Sequence, residues 1–398
     1  MTSHVVITAA HWAYLAGVAA VVLTMVLRAN VVVPSIVATF VVSLAWTHSP
    51  VNGLASIFNA SFVAAKELFN IFLVIALITS LLNALKALRS DVRMVQPFRA
   101  VMTNGHSAFI ILAAITYVIS LFFWPTPAVP LVSAVLLPAA IVAGLPPLAG
   151  AMAIAIAGQG MALSSDYVIG VAPGISAKAA GAAVSAAVVA DRALVLSLIT
   201  GIIALVLAYL SIRRTIQPGS EALLERWQRQ AGDGETARLE TVGTFDKAEI
   251  ARATGAEPLA GKANGNAAAL DARHAMWSKV FAILTPLGFA AVIAVMVLPR
   301  LGIGVADLKG GDAAALVGGM GLALMILATA AGEGLRKSLD VCADHITDGF
   351  VFAFKAMGAV LPIAGFFFTG AGGEMAGAVL NVPAANAPSL LFDLVSAA

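Results

Sequence analysis

Charge is what this sequence has least of. Only 11% of its 398 residues are Asp, Glu, Lys or Arg, while 60% are hydrophobic. A soluble domain is about a quarter charged. The apolar excess is concentrated in runs long enough to cross a bilayer, which makes a polytopic membrane protein the expected class. There is one cysteine, Cys342, so an intramolecular disulfide framework and a cysteine zinc cluster are both excluded. The first ten residues contain no Lys or Arg. Met1–Ala10 therefore lacks the basic start of a cleaved signal peptide, and the first apolar run is expected to remain as a helix. No phosphate loop, no Gly-x-Ser-x-Gly and no histidine pair at metal spacing is present, so nothing argues for an enzyme, a metal or a cofactor. The formal net charge of +2 does not argue for nucleic acid, because the basic residues sit where membrane topology needs them.

Hydropathy places candidate spans at 8–27, 31–46, 64–87, 108–124, 129–144, 147–162, 187–210, 277–298, 313–331 and 350–370. That is about ten transmembrane or re-entrant helices. The 129–144 run is short against the ~20 residues of a full span, and either crosses once or re-enters. Arg28, Arg89, Arg93, Arg99, Arg213, Arg214, Arg336 and Lys337 all fall on one side if the chain alternates with its N-terminus outside. The opposite-side segments 1–10, 47–62 and 371–398 contain no Lys or Arg, and Lys178, Arg300 and Lys309 are the exceptions. The expected location is a bacterial-type inner membrane. Segment 211–276 carries nine basic and nine acidic residues with few large apolar side chains. It reads as a cytoplasmic linker with too little apolar surface for a core; Ser220–Gln230 is its one candidate helix.

The linker separates a first membrane repeat, 1–210, from a second, 277–398. After two spans each half has an amphipathic segment, then a lysine, Lys66 or Lys355, then an apolar run. By the charge rule the halves enter the membrane from opposite sides, which predicts an inverted-topology repeat. The first half continues into a fourth span and a Pro/Gly-rich stretch. The second has no counterpart before Ala398, so the second repeat is expected to be incomplete, by truncation or by completion from another chain.

Proline and glycine are concentrated between Phe122 and Tyr167. Pro125, Pro127 and Pro130 should end one helix near Trp124 and start the next. A helix end facing a cavity offers bare N–H groups to a carboxylate, while freed carbonyls suit Na⁺. Thr126 adds a hydroxyl between two of these prolines. The alternative for Thr126 and Pro127 is a tight turn outside the bilayer. Gln159 and Gly160 follow Gly158, and flanking glycines let backbone approach a ligand closely. Ser164, Ser165 and Asp166 come next, with oxygens able to ligate Na⁺ or exchange a proton. The alternative is that Ser165 or Asp166 caps a helix beginning near Tyr167. Gly170 to Ser176 reads as a loop before an Ala-rich stretch, 177–190. In the third span Asn83 shares a face with Thr79, as a substrate contact or as interhelical glue. In the second half, Gly370 to Gly373 break the tenth span just before Glu374. His106 reads as a cap or interface residue.

Two stretches, Phe123-Trp124-Pro125-Thr126-Pro127-Ala128-Val129-Pro130 and Gly158-Gln159-Gly160-Met161-Ala162-Leu163-Ser164-Ser165-Asp166, together with the hydropathy plan and central polar linker, resemble the ion transporter superfamily. That group includes citrate, gluconate and C4-dicarboxylate carriers and some Na⁺/H⁺ antiporters. The resemblance implies inverted repeats, a substrate site between broken hairpins, and coupling to H⁺ or Na⁺. Its hairpin-tip contacts map onto Thr126, Pro127, Ser164, Ser165 and Asp166. The expected activity is secondary transport of a small organic anion, with Na⁺/H⁺ antiport and a non-transporting membrane subunit as alternatives. The expected partners are lipid and the anion, and a homodimer is compatible with the pattern. By the charge rule the polar tips at Thr126 and Ser164–Asp166 lie on the outer side, so a midplane site requires re-entry, and 129–144 is the place to look for it.

Overall fold

The computed structural model describes residues 6–90, 93–94, 101–123, 125–180, 184–232, 267–298 and 311–397. Among the described residues helix is the regular structure throughout and no strand occurs. Helices α1 (Ala9–Val26), α2 (Val32–Thr47) and α3 (Pro50–Ala87) come first, followed by α4 (Gly105–Phe123), α5 (Pro125–Val142) and α6 (Pro147–Ser165). Next are α7 (Val171–Ala180), α8 (Ala186–Ile212) and α9 (Glu221–Gly232). The second half supplies α10 (Ala267–Val297), α11 (Gly311–Glu333), α12 (Ser338–Met357), α13 (Val360–Thr369), α14 (Gly373–Leu380) and α15 (Leu390–Ala397). Six helices among the described residues are long and apolar enough to cross a membrane, or up to eight if each bent pair is one span. The protein is an all-α polytopic membrane protein.

Several elements differ from the sequence expectation. The amphipathic segment and third span of the first half form one helix of 38 residues. The 129–144 run is unbroken as far as Val142, within the continuous helix α5. Of the loop expected at Gly170 to Ser176, all but Gly170 lies within α7. Pro173 is tolerated there because it sits in the first turn, where an N–H has no intrahelical partner. The last span is broken earlier than Gly370, with α12 and α13 bent by 53°. The break at Gly358 lies four residues before Pro362, whose ring clashes with the i−4 carbonyl and whose nitrogen donates nothing. The expected helix in the linker is present as α9; residues 233–266 lie outside the described residues.

The chain divides into two compact units, each drawing on both halves. One comprises Met1–Phe72, Ala172–Val189 and Ala353–Ala398, and the other Leu73–Val171 and Ala190–Phe352. In the first unit α1 packs on α2 and on α13. Gly17 lies against Ala38 and Phe366, and Gly365 lies against the Ala60 backbone. The Tyr14 and Phe366 rings meet at 5.1 Å. His11 is 3% exposed. The Thr8 backbone N–H donates to its Nδ1 at 3.1 Å, which leaves the proton on Nε2 to donate to Asp393 Oδ2 at 3.2 Å.

In the second unit α4 and α5 form an antiparallel hairpin. Gly105 lies beside Gly144 at one end, while Thr116 and Val129 flank Gly158 further along. Leu112, Leu136, Ala140, Leu145 and Ala153 make its buried core with α6. The segment after α8 closes the base: Gln217 N–H donates to Gly144 O at 3.0 Å and Ser220 N–H to Val142 O at 2.9 Å. Helices α3 and α12 run antiparallel. Gly349 packs on Ala76 and Ser80, and Val341 and His345 share a crevice with Ala84 and Leu88. These are the third helices of the two halves, so their opposed directions agree with inverted topology. Between α10 and α11, His274 Nε2 meets Gly332 O at 3.2 Å.

Candidate functional site

Helix α6 begins as sequence chemistry dictates. Pro147 takes the first helical position, where a missing N–H is harmless. Its first stretch, Pro147–Ile154, is α-helical, but Ala155–Ala162 is π-helical before a last α turn at Leu163–Ser165. The Leu163 N–H reaches back five residues to Gly158 O. A π-helical stretch is rare and occurs frequently at functional sites, because the extra residue re-aims side chains and loosens the backbone ladder.

Packing explains where the slip falls. Gly158 is clamped by the hairpin: a Cβ there would lie 2.9 Å from Val129 Cγ2, 3.1 Å from Thr116 Cγ2 and 3.2 Å from Ser120 Oγ. Gly160 on the other face has open space, its nearest neighbour being the Ala155 carbonyl at 3.7 Å. Gln159, Gly160 and Ser164 are exposed together with Ala151 and Ala155. A small, polar stripe of this kind is poor lipid-facing surface. Gln159 lies twelve residues above the Pro146–Pro147 turn, or about 18 Å at 1.5 Å per residue. That is near the middle of a ~30 Å hydrocarbon layer.

The remaining sequence-predicted residues divide. Ser164 Oγ donates to Met161 O at 3.2 Å and stays exposed. Ser165 is fully buried, and its hydroxyl proton is shared between Met161 O at 3.1 Å and Ala162 O at 3.2 Å. Asp166 does not open a helix at Tyr167. It ends α6 in the left-handed region (φ 38°, ψ 41°) and is 5% exposed. Its N–H donates to Ala162 O at 3.0 Å, and its carbonyl accepts Gly170 N–H at 2.8 Å. Thr126 and Pro127 lie in the first turn of α5, at the same end of the hairpin as Asp166; their side chains lie outside the described residues. Asn83 is half-buried on α3, one turn from Thr79, whose hydroxyl is buried without a hydrogen-bond partner among the described residues. Glu374 belongs to the other unit and stands exposed in the first turn of α14, after Gly372 and Gly373 at φ 80° and 56°.

Sequence reasoning missed Thr116 and Ser120. Both are buried, and they share a face at i, i+4 in the apolar body of α4, which is the signal that finds them. Thr116 Oγ1 donates to Leu112 O at 2.6 Å. Ser120 Oγ has no partner among the described residues. An orphaned hydroxyl against the π-helical turn is costly unless something else bonds it. Among the described residues no three His, Cys, Asp or Glu side chains form a group able to hold a metal ion.

Over 364 residues, 91% of its length, the chain is 34% identical to the uncharacterized membrane protein YhfA of Bacillus subtilis (strain 168), covering 69% of that protein. The chain belongs to the YhfA family. No protein-family model and no solved structure matches it. For this YhfA-family membrane protein the chemistry of the site therefore rests on its own residues. The alignment covers nearly the whole chain, so α6 with its π-helical stretch belongs to the membrane region shared in length with the relative.

Proposed function

We propose that the protein is a secondary transporter of the ion transporter superfamily, moving a small organic anion across an inner membrane with H⁺ or Na⁺. The observation that carries this reading is the π-helical interruption of α6, with Gln159 and Gly160 exposed inside it and Ser164 exposed in the turn that follows. A carboxylate in a membrane-depth site needs hydrogen-bond donors. The Gln159 amide, the Ser164 hydroxyl and the unshielded backbone at Gly160 supply them without a fixed charge that would trap the substrate. Released π-helical carbonyls suit a small cation. The N-terminus lies outside and the linker inside, following the charge asymmetry. Asp166 favours a second reading, Na⁺/H⁺ antiport, because an acid at the end of a membrane helix is a natural proton or cation group.

Uptake of a panel of carboxylates into proteoliposomes, with and without Na⁺ and a pH gradient, separates these readings. Carboxylate accumulation that depends on either gradient supports the carrier. Cation exchange without an organic substrate supports the antiporter, and no flux of any solute removes both in favour of a non-transporting subunit. Gln159→Ala should lower carboxylate uptake roughly 10- to 100-fold, the worth of one hydrogen bond to a charged group. Wild-type uptake by that variant would move the site away from the π-helical stretch.

A further inference from the structure

Behind the π-helical stretch, on the face away from Gln159 and Gly160, α4 and α8 leave an open groove of about 440 Å³. Ala113 and Tyr117 of α4, Ala157 and Met161 of α6, and Ile202 and Tyr209 of α8 line it. The lining is hydrocarbon apart from the two tyrosine hydroxyls. Around it α8 carries a broad lipid-facing surface, with Leu196, Ile199, Ile203 and Leu207 all exposed. From Leu198 to Tyr209 the groove follows α8 for about 16 Å, the reach of a fatty acyl chain of ordinary length. One end is closed by Tyr209, whose hydroxyl meets His106 Nδ1 at 2.9 Å. One turn beyond that end, Arg213 continues the helical ladder, its N–H donating to Tyr209 O at 2.8 Å. Arg213 and Arg214 are both exposed there.

We infer that the groove holds one acyl chain of an anionic phospholipid, with the headgroup at Arg213 and Arg214. Charge selects this occupant: a zwitterionic lipid fills the groove equally well but gains nothing from two arginines at the leaflet surface. The chain end of the lipid rests on Ala157 and Met161, so an occupied groove backs the turn whose opposite face carries Gln159 and Gly160. This inference does not depend on the transport reading.

The test is native mass spectrometry of the full chain in detergent, titrated with dioleoyl-phosphatidylglycerol or dioleoyl-phosphatidylcholine. The wild type should retain one phosphatidylglycerol with a preference of roughly 30-fold, the worth of two basic groups at a membrane surface. Ile202→Trp, which fills the groove from its half-exposed wall, should abolish retention of either lipid. The surface double variant Arg213→Gln/Arg214→Gln should keep the lipid but erase the preference. Equal retention of the two lipids by the wild type, or a preference untouched in the double variant, means an annular lipid only and overturns the inference. Dimers that form without lipid and disappear in Ile202→Trp would assign the groove to a second copy and overturn it as well.

Discussion

Gly349→Ala should abolish the folded state or lower its melting temperature by many degrees. A Cβ at Gly349 would fall well inside van der Waals contact with the Ala76 carbonyl oxygen and Ser80 Oγ. Neither can give way. Ala76 and Ser80 are fully buried, and the Ser80 hydroxyl is already tied to Ala76 O at 2.7 Å. The obstacle is backbone, so α12 and α3 must move apart along their antiparallel seam. Helices in a bilayer gain little from the hydrophobic effect against each other and depend on close approach at small residues. Overpacking by one methyl ordinarily costs about 1–3 kcal/mol. Separating the two backbones also weakens the dispersion attraction along the whole seam. Gly319→Ala on α11 is the control, since a Cβ there meets nothing within 4 Å. It should leave the protein unchanged or stabilise it by up to about 1 kcal/mol through helix propensity. Size-exclusion profiles after a heating series report both variants. Wild-type melting of Gly349→Ala would mean that α3 and α12 do not pack as described, and with that the structural support for opposed halves would go.

The features legible in the sequence are those that depend on composition and sign of charge. Apolar runs located the membrane helices, and the Lys/Arg asymmetry sorted the connecting segments into sides. Proline chemistry placed the end of α4 near Trp124, but α5 starts at Pro125 rather than near Pro130, because prolines are tolerated throughout a first turn. What was not legible depends on neighbours distant in sequence. A slip from i−4 to i−5 hydrogen bonding leaves no mark on composition. It follows from Gly158 being pinned against Thr116, Ser120 and Val129 while Gly160 is left open. Asp166 looked like a helix start because acids are common N-caps; it ends a helix instead, since its left-handed backbone terminates α6. Pro173 and Pro362 show how position decides. Each stands at the third position of a helix, α7 or α13, where a missing N–H is harmless, and Pro362 in addition bars the chain from continuing as helix back through Gly358, which separates α12 from α13. The same reasoning, applied to Thr116 and Ser120 at helical spacing, would have added both to the candidate site.

Asp166→Asn is expected to uncouple transport while leaving the fold intact. The two side chains are nearly isosteric, and Asn is among the few residues that accept left-handed backbone readily. The bonds from Asp166 N–H to Ala162 O and from Gly170 N–H to Asp166 O are backbone bonds and survive the change. What is lost is a carboxylate that is 5% exposed, one residue beyond the last turn of α6 and at the same end of the hairpin as Thr126. If this carboxylate carries the coupling proton or Na⁺, the variant should still exchange substrate across the membrane. It should lose gradient-driven accumulation by about tenfold or more, one factor of ten for each 1.4 kcal/mol of coupling removed. Asp166→Ala separates charge from conformation. It removes the same carboxylate but forces alanine into the left-handed region, at roughly 1–2 kcal/mol, so it should lose thermal stability as well as coupling. Counterflow and accumulation assays on both variants, beside their melting curves, resolve the two contributions. Accumulation in Asp166→Asn that keeps the wild-type dependence on pH and Na⁺ would remove Asp166 from the coupling path and leave the exposed Gln159, Gly160 and Ser164 face to act without it.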